Sequence, residues 1–155
     1  LLALPVAAKE YYITEYDFTL DIPDYYVAED TAAFPEESDI VLAMTDPNTG
    51  TNLFVKVGGS QETEVDANEV IILRNNLKKY LDKHHLKPYA NGITPVKPFH
   101  MGMFFYCHAG HSVDHLLFQF CAHNLIYTLE SIQPPNTSKV AEFTNIVKSI
   151  TCLKH

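Results

Sequence analysis

The stretch Cys107-His108-Ala109-Gly110-His111-Ser112-Val113-Asp114-His115 holds three of the chain's eight histidines, one of its three cysteines and an aspartate. Imidazole, thiolate and carboxylate are the side chains that ligate transition metals or move protons near neutral pH. His108, His111, Asp114 and His115 form the candidate ligand set, and zinc is the metal that such nitrogen and oxygen donors suit. A hairpin between Phe99–Cys107 and Leu116–Cys121 would make 108–115 its connecting loop and gather all four at one end of a sheet. Strand alternation places His108 on the face opposite Cys107, so the thiol joins the set only through a bulge. The competing reading is an exposed polar turn in which Gly110 supplies a positive φ.

Other chemistry-bearing residues have simpler explanations. His84-His85 falls at a helix end, where positive charge complements the dipole. His100 with Met101 and Met103 has the composition of a soft copper site, but an apolar strand face accounts for the methionines. His123 stands alone in an apolar run. There is no G-x-S-x-G elbow, H-E-x-x-H pair, G-x-G-x-x-G turn or phosphate-binding glycine loop. His111-Ser112 with Asp114 is not a triad, because triad members normally come from separated segments. The expectation is therefore no catalytic residue and no cofactor beyond the zinc considered above, and a small hydrolase is the least supported class.

The elements that would position these residues can be read from periodicity. Tyr16–Ile22 alternates, with Phe18, Leu20 and Ile22 on one face, and predicts a half-buried strand closed by Pro23. The acidic stretch Glu29–Asp39 reads as a surface loop with one helical turn near Thr31–Phe34. Asp39–Thr45 and Asn52–Val57 flank Asp46-Pro47-Asn48-Thr49-Gly50 and predict a hairpin. That turn is not a calcium loop, since Gly50 stands where a fifth-position oxygen ligand is needed. From the capping box at Asp66–Glu69, the residues Val70, Leu73, Leu77, Tyr80, Leu81 and His84 mark the stripe of an amphipathic helix of about five turns. Lys78, Lys79, Lys83 and His84 gather at its end, before Pro88. Thr94–Cys107 is strand-like, and Val113–Leu129 is apolar on both faces, as in central strands covered on both sides, with a turn near Asn124. After Pro134-Pro135, one of Asn136, Thr137 or Ser138 would cap a closing helix with Val140, Phe143, Val147 and Ile150 inward.

Composition bounds the function classes. At 155 residues with 46 % hydrophobic residues, the chain suits one domain with its own core. Eleven Lys and Arg face 19 Asp and Glu, for a net charge of -8, and Arg74 is the single arginine. Nucleic-acid binding, which needs a basic stripe, is therefore not expected. Cys107, Cys121 and Cys152 sit in apolar contexts and read as buried thiols, although one disulfide stays open. Leu1–Ala8 is apolar and ends Val-Ala-Ala, like the tail of a secretory signal, so residues 1–9 are set apart as an N-terminal segment from a single domain over 10–155. The alternative is an ordinary first strand. No run is long enough for a membrane span, which leaves an N-terminal anchor as the only membrane contact expected.

The element order, the opening FTLDIPDYY (Phe18–Tyr26), the hairpin DIVLAMTDPNTGTNLFVKV (Asp39–Val57), and the ending LIYTLESIQPP (Leu125–Pro135) with VAEFTNIVKSI (Val140–Ile150) resemble the PsbP-like superfamily. That superfamily includes photosystem PsbP, the nuclear Ran-binding release factor and envelope lipoproteins of the DcrB kind. The similarity covers about residues 15–152 and rests on element order and a loose Phe-x-x-x-x-Pro strand signature. It implies an α+β fold, a three-layer α/β/α sandwich with a largely antiparallel sheet, a long central helix and a C-terminal helix. It further implies a non-enzymatic, extracytoplasmic binding or accessory protein, secreted or anchored in a bacterial envelope, that acts through protein contacts. Tyr11, Tyr12, Tyr25 and Tyr26 are candidate contact residues. The alternative is a small metal-binding protein using the 108–115 stretch.

Overall fold

The computed structural model describes residues 7–58, 69–109, 113–122, 125–134 and 139–153. In chain order its elements are β1 (Ala8–Ile13), β2 (Phe18–Pro23), β3 (Val27–Ala28), β4 (Ile40–Asp46), β5 (Thr51–Gly58), α1 (Glu69–His84), β6 (Lys87–Val96), β7 (His100–Ala109), β8 (Val113–Ala122), β9 (Leu125–Gln133), α2 (Val140–Ser149) and β10 (Thr151–Cys152). The acidic loop forms two single 3-10 turns, Thr31–Ala33 and Glu36–Ser38.

The fold is α+β, with a mostly antiparallel sheet and two helices. Seven strands pair in the order β3-β4-β5-β9-β8-β7-β6, and β1-β2-β10 form a second, three-stranded sheet. Alternation along the central strands builds two cores. Leu116, Phe118 and Phe120 of β8 face one way and join Phe18, Leu20, Ile22, Tyr127, Phe143 and Ile146. Leu117 and Cys121 face the other way and meet Leu73, Leu77 and Leu81 of α1. The small sheet and α2 thus cover one face of the large sheet, and α1 covers the other over β6, β7 and β8. Phe18 packs edge-on to Phe120 and Tyr127, at 6.2 and 5.3 Å between ring centres. Gly102 makes room for Phe118, because a Cβ there would meet the ring at 2.0 Å.

Most expected elements form, and Phe18, Leu20 and Ile22 are all at most 2 % exposed. The β4–β5 turn closes at Gly50 with φ 80°, the left-handed backbone that glycine tolerates. Four details differ. The strand expected from Tyr16 starts at Phe18, since Asp17 has φ 49° and turns the chain. A further strand, β6, occupies Lys87–Val96 despite Pro88, Asn91, Gly92 and Pro95. It is the outer strand of its sheet, where missing amide donors and small residues cost least. The loop expected over 108–115 is strand at both ends: β7 runs to Ala109 and β8 begins at Val113, so His108, Asp114 and His115 are strand residues, while 110–112 lie outside the described residues. The N-cap of α2 is Lys139 rather than a residue of 136–138; its own side chain makes no capping bond, and its backbone N–H donates to Gln133 Oε1 at 3.3 Å. The capping-box residues Asp66–Asn68, the expected turn at Asn124 and residues 1–6 lie outside the described residues.

Candidate functional site

The register of β7 and β8 decides what the histidine stretch can do. His108 is opposite Asp114 and Cys107 is opposite His115, so the two pairs point to opposite faces of the sheet. His108 Nδ1 lies 2.9 Å from Asp114 Oδ1, and the Tyr89 ring stacks on the imidazole at 4.4 Å. His115 is turned under α1, where its side chain is 11 % exposed. His111 lies outside the described residues. The structure therefore joins His108 with Asp114 and separates His115 from both, for the same alternation that separates His108 from Cys107. Among the described residues no group of three or more His, Cys, Asp or Glu side chains gathers closely enough for a metal ion. Cys107 is fully buried, and that burial pushes its thiol up to about 11.

His115 belongs instead to a cluster around Glu130 of β9, which is 3 % exposed. Lys56 Nζ is 3.1 Å from Glu130 Oε1, and the Tyr80 hydroxyl of α1 donates to Oε2. His115 Nε2 is 2.9 Å from Oε2. His84 lies tilted over the Tyr80 ring at 4.2 Å, and burial first, then Lys83, pulls its pKa below the ordinary value. Burial raises the Glu130 pKa, but His115, Lys56 and Tyr80 outweigh that effect and hold the carboxyl down to about 2. Every partner is internal, so the cluster ties α1 to the sheet and presents little to solvent.

The other polar cluster sits where α2 begins. Asp46, 2 % exposed at the end of β4, accepts from Asn48 N at 2.9 Å and Thr49 Oγ1 at 3.0 Å, and pairs with Lys139. Burial pushes its carboxyl up, but Lys139, Asn48 and Thr49 reverse the shift and hold it below the usual range. The Lys139 ammonium lies over the rings of Tyr25 and Tyr26 at 4.8 and 5.2 Å and 3.3 Å from Glu142 Oε2. Tyr26 donates to the same oxygen at 3.0 Å. Burial pushes the Glu142 carboxyl up to about 7. Tyr26 itself is 5 % exposed, a core residue and not the surface contact expected of it. Glu142 opens onto a cleft of about 540 Å³ between α2 and the small sheet, with Asp21, Tyr25, Asn145 and Ile146 among its walls.

None of Glu130, Lys56, Lys139, Asp46 or Glu142 stood out in the sequence. A 3.6-residue period marks Glu142, Asn145 and Ser149 as the stripe beside the buried face of α2, which is the one signal available. The Asp46–Lys139 pair, 93 positions apart, has none.

No family model matches the sequence, and no curated protein matches it. Among solved structures the chain is similar to the solution structure of cyanobacterial PsbP (CyanoP) from Synechocystis sp. PCC 6803, with a TM-score of 0.68 at 10 % identity over 94 % of this chain and 92 % of that one. It is also similar to the crystal structure of the Saccharomyces cerevisiae Ran-binding protein Mog1p, with a TM-score of 0.60 at 6 % identity over 94 % and 95 % of the two chains. Identities this low speak for the backbone and carry no site residue across. The strand order, the two helices and these likenesses together show that the chain has the fold seen in cyanobacterial PsbP and in Mog1p.

Proposed function

We propose that this chain is a non-enzymatic binding or accessory protein that acts through protein contacts, on a three-layer α/β/α scaffold, secreted or anchored in a cell envelope. The observation that carries the reading is the β6–β7 hairpin. β6 is an outer strand with β7 on one side only, and Tyr89, Ile93, Phe99 and Met101 on this hairpin are 45, 47, 80 and 38 % exposed. Aromatic and methionine side chains on a strand edge favour a protein partner, because they add apolar area where a further chain can align. One structural neighbour is by name a Ran-binding protein, which supports protein contact as a use of this fold. The extracytoplasmic location rests on the sequence of Leu1–Ala8. Cross-linking and pull-down from envelope extracts with the wild-type chain and with Ile93→Lys/Phe99→Ser tests the reading. A partner captured by the wild type and lost with the variant supports it, and no specific capture, or capture unchanged by the variant, counts against it.

A second reading, metal binding at the sheet end, is favoured by the exposed His108–Asp114 pair at 2.9 Å, with His111 close by in sequence and His115 left out of the set by its inward face. Elemental analysis of untagged protein decides it: stoichiometric zinc supports the site, and no metal removes it.

A further inference from the structure

Glu142, Asn145, Ile146 and Ser149 line the α2 side of the cleft. Their spacing of three, four and seven residues puts them on one stripe about 10 Å long. Asp21 stands across from it on β2, and its backbone N–H donates to Ser149 Oγ at 2.8 Å, which fixes the distance between the two walls. Pro23 and Tyr25 add apolar surface on the same side, opposite Ile146. Lys139 lies 3.3 Å from Glu142 Oε2 and is shared with Asp46 and the tyrosine rings. The cleft thus offers two carboxyl groups and apolar walls, in a chain of net charge -8.

We propose that this cleft is the docking site for a basic segment of a partner protein, with a lysine side chain entering between Asp21 and Glu142 and an apolar neighbour resting on Tyr25. The inference rests on the protein-binding reading above and supplies the chemistry of the partner. A fixed cleft with opposed walls loses little freedom on binding, and its charge is complementary to an ammonium group. Only the ionised Glu142 attracts the ammonium. The groups that face Glu142 are the Tyr26 hydroxyl, the Lys139 ammonium with Asp46 of β4 behind it, and Asp21 across the cleft. With its carboxyl pushed up to about 7 by burial, binding should tighten as pH rises from 6 to 8.

The test is NMR titration of the full chain with the capped peptide Ala-Leu-Lys-Leu-Ala, its counterpart with norleucine in place of Lys, and free lysine amide. The expected result is amide shift changes at 21–25 and 142–149 for the lysine peptide, a Kd about fivefold lower at pH 8 than at pH 6, and a Kd about tenfold higher for Asp21→Asn/Glu142→Gln. Absence of shifts at the cleft, equal binding of the norleucine peptide, or undiminished binding by the variant would overturn the proposal. Equally tight binding of free lysine amide would assign the cleft to a small cation and overturn the partner. A partner protein held equally by the wild type and by Asp21→Asn/Glu142→Gln would leave the protein-binding reading standing and remove the cleft from it.

Discussion

Glu130, buried, and Glu142, half-buried, lie on opposite sides of the same seven-stranded sheet, and their surroundings drive them in opposite directions. Glu130 is held down to about 2 because three internal partners, His115, Lys56 and Tyr80, more than offset its burial. Glu142 is pushed up to about 7 because burial acts on it, and its cationic neighbour is shared with a deeper aspartate. Burial alone therefore does not decide whether a carboxyl is structural or available; the number of partners committed to it does. The α1 side is closed in this sense, and the α2 side opens onto a cleft.

Removing the carboxylate on the closed side should have the largest effect. Glu130→Ala strands a lysine, a tyrosine hydroxyl and a histidine in a nearly dry site, and should cost about 3–5 kcal/mol in urea unfolding. A loss under about 1 kcal/mol would mean that the α1 side is not closed and the contrast is lost.

The next effect is one of pH. The unfolded pKa of Glu142 is near 4.5 and its folded pKa is raised to about 7. The stability it contributes is therefore fully present below about 4.5 and is lost as pH rises through 7, up to about 3 kcal/mol. The Glu130 contribution has the opposite sign: its folded pKa is depressed to about 2, so its stabilisation is present above about 4.5 and lost as pH falls towards 2. Between pH 5 and 8 the wild type should weaken relative to Glu142→Gln, as read by urea midpoints. A wild type that runs parallel to the variant would place Glu142 in the same class as Glu130.

Tyr80→Phe sharpens the comparison more gently. It deletes one donor to Glu130 and keeps the ring that lies against His84, so a loss of about 1–2 kcal/mol is expected, with the Glu130 pKa rising. Smallest of all, His108→Ala removes an exposed pair on the sheet rim and should shift stability by less than about 1 kcal/mol in the same assay.

How much of this was legible in the sequence follows from the range of the forces involved. Period-two alternation at Phe18, Leu20 and Ile22, the double-faced apolar run of β8 and the 3.6-residue stripe of α2 each reflect local geometry, and each element formed. Strand β6 was legible only at its end, Thr94–Val96, within the strand-like run expected over Thr94–Cys107; its start at Pro88, Asn91 and Gly92 is tolerable only because of its place at the sheet edge. Three histidines in nine positions look convergent by density, but strand register turns His115 away from His108. The Glu130 and Glu142 clusters depend on pairs such as Lys56–Glu130, 74 positions apart, and Asp46–Lys139, for which no local pattern exists.

The most direct measurement of the contrast is a carbon-13 NMR titration of the glutamate carboxyl groups in the folded protein. The account expects the Glu142 resonance to titrate near pH 7 and that of Glu130 to stay ionised until about pH 2, with Glu142→Gln removing the first transition alone. Both groups titrating together between about pH 4 and 5, near the unperturbed glutamate value, would contradict it.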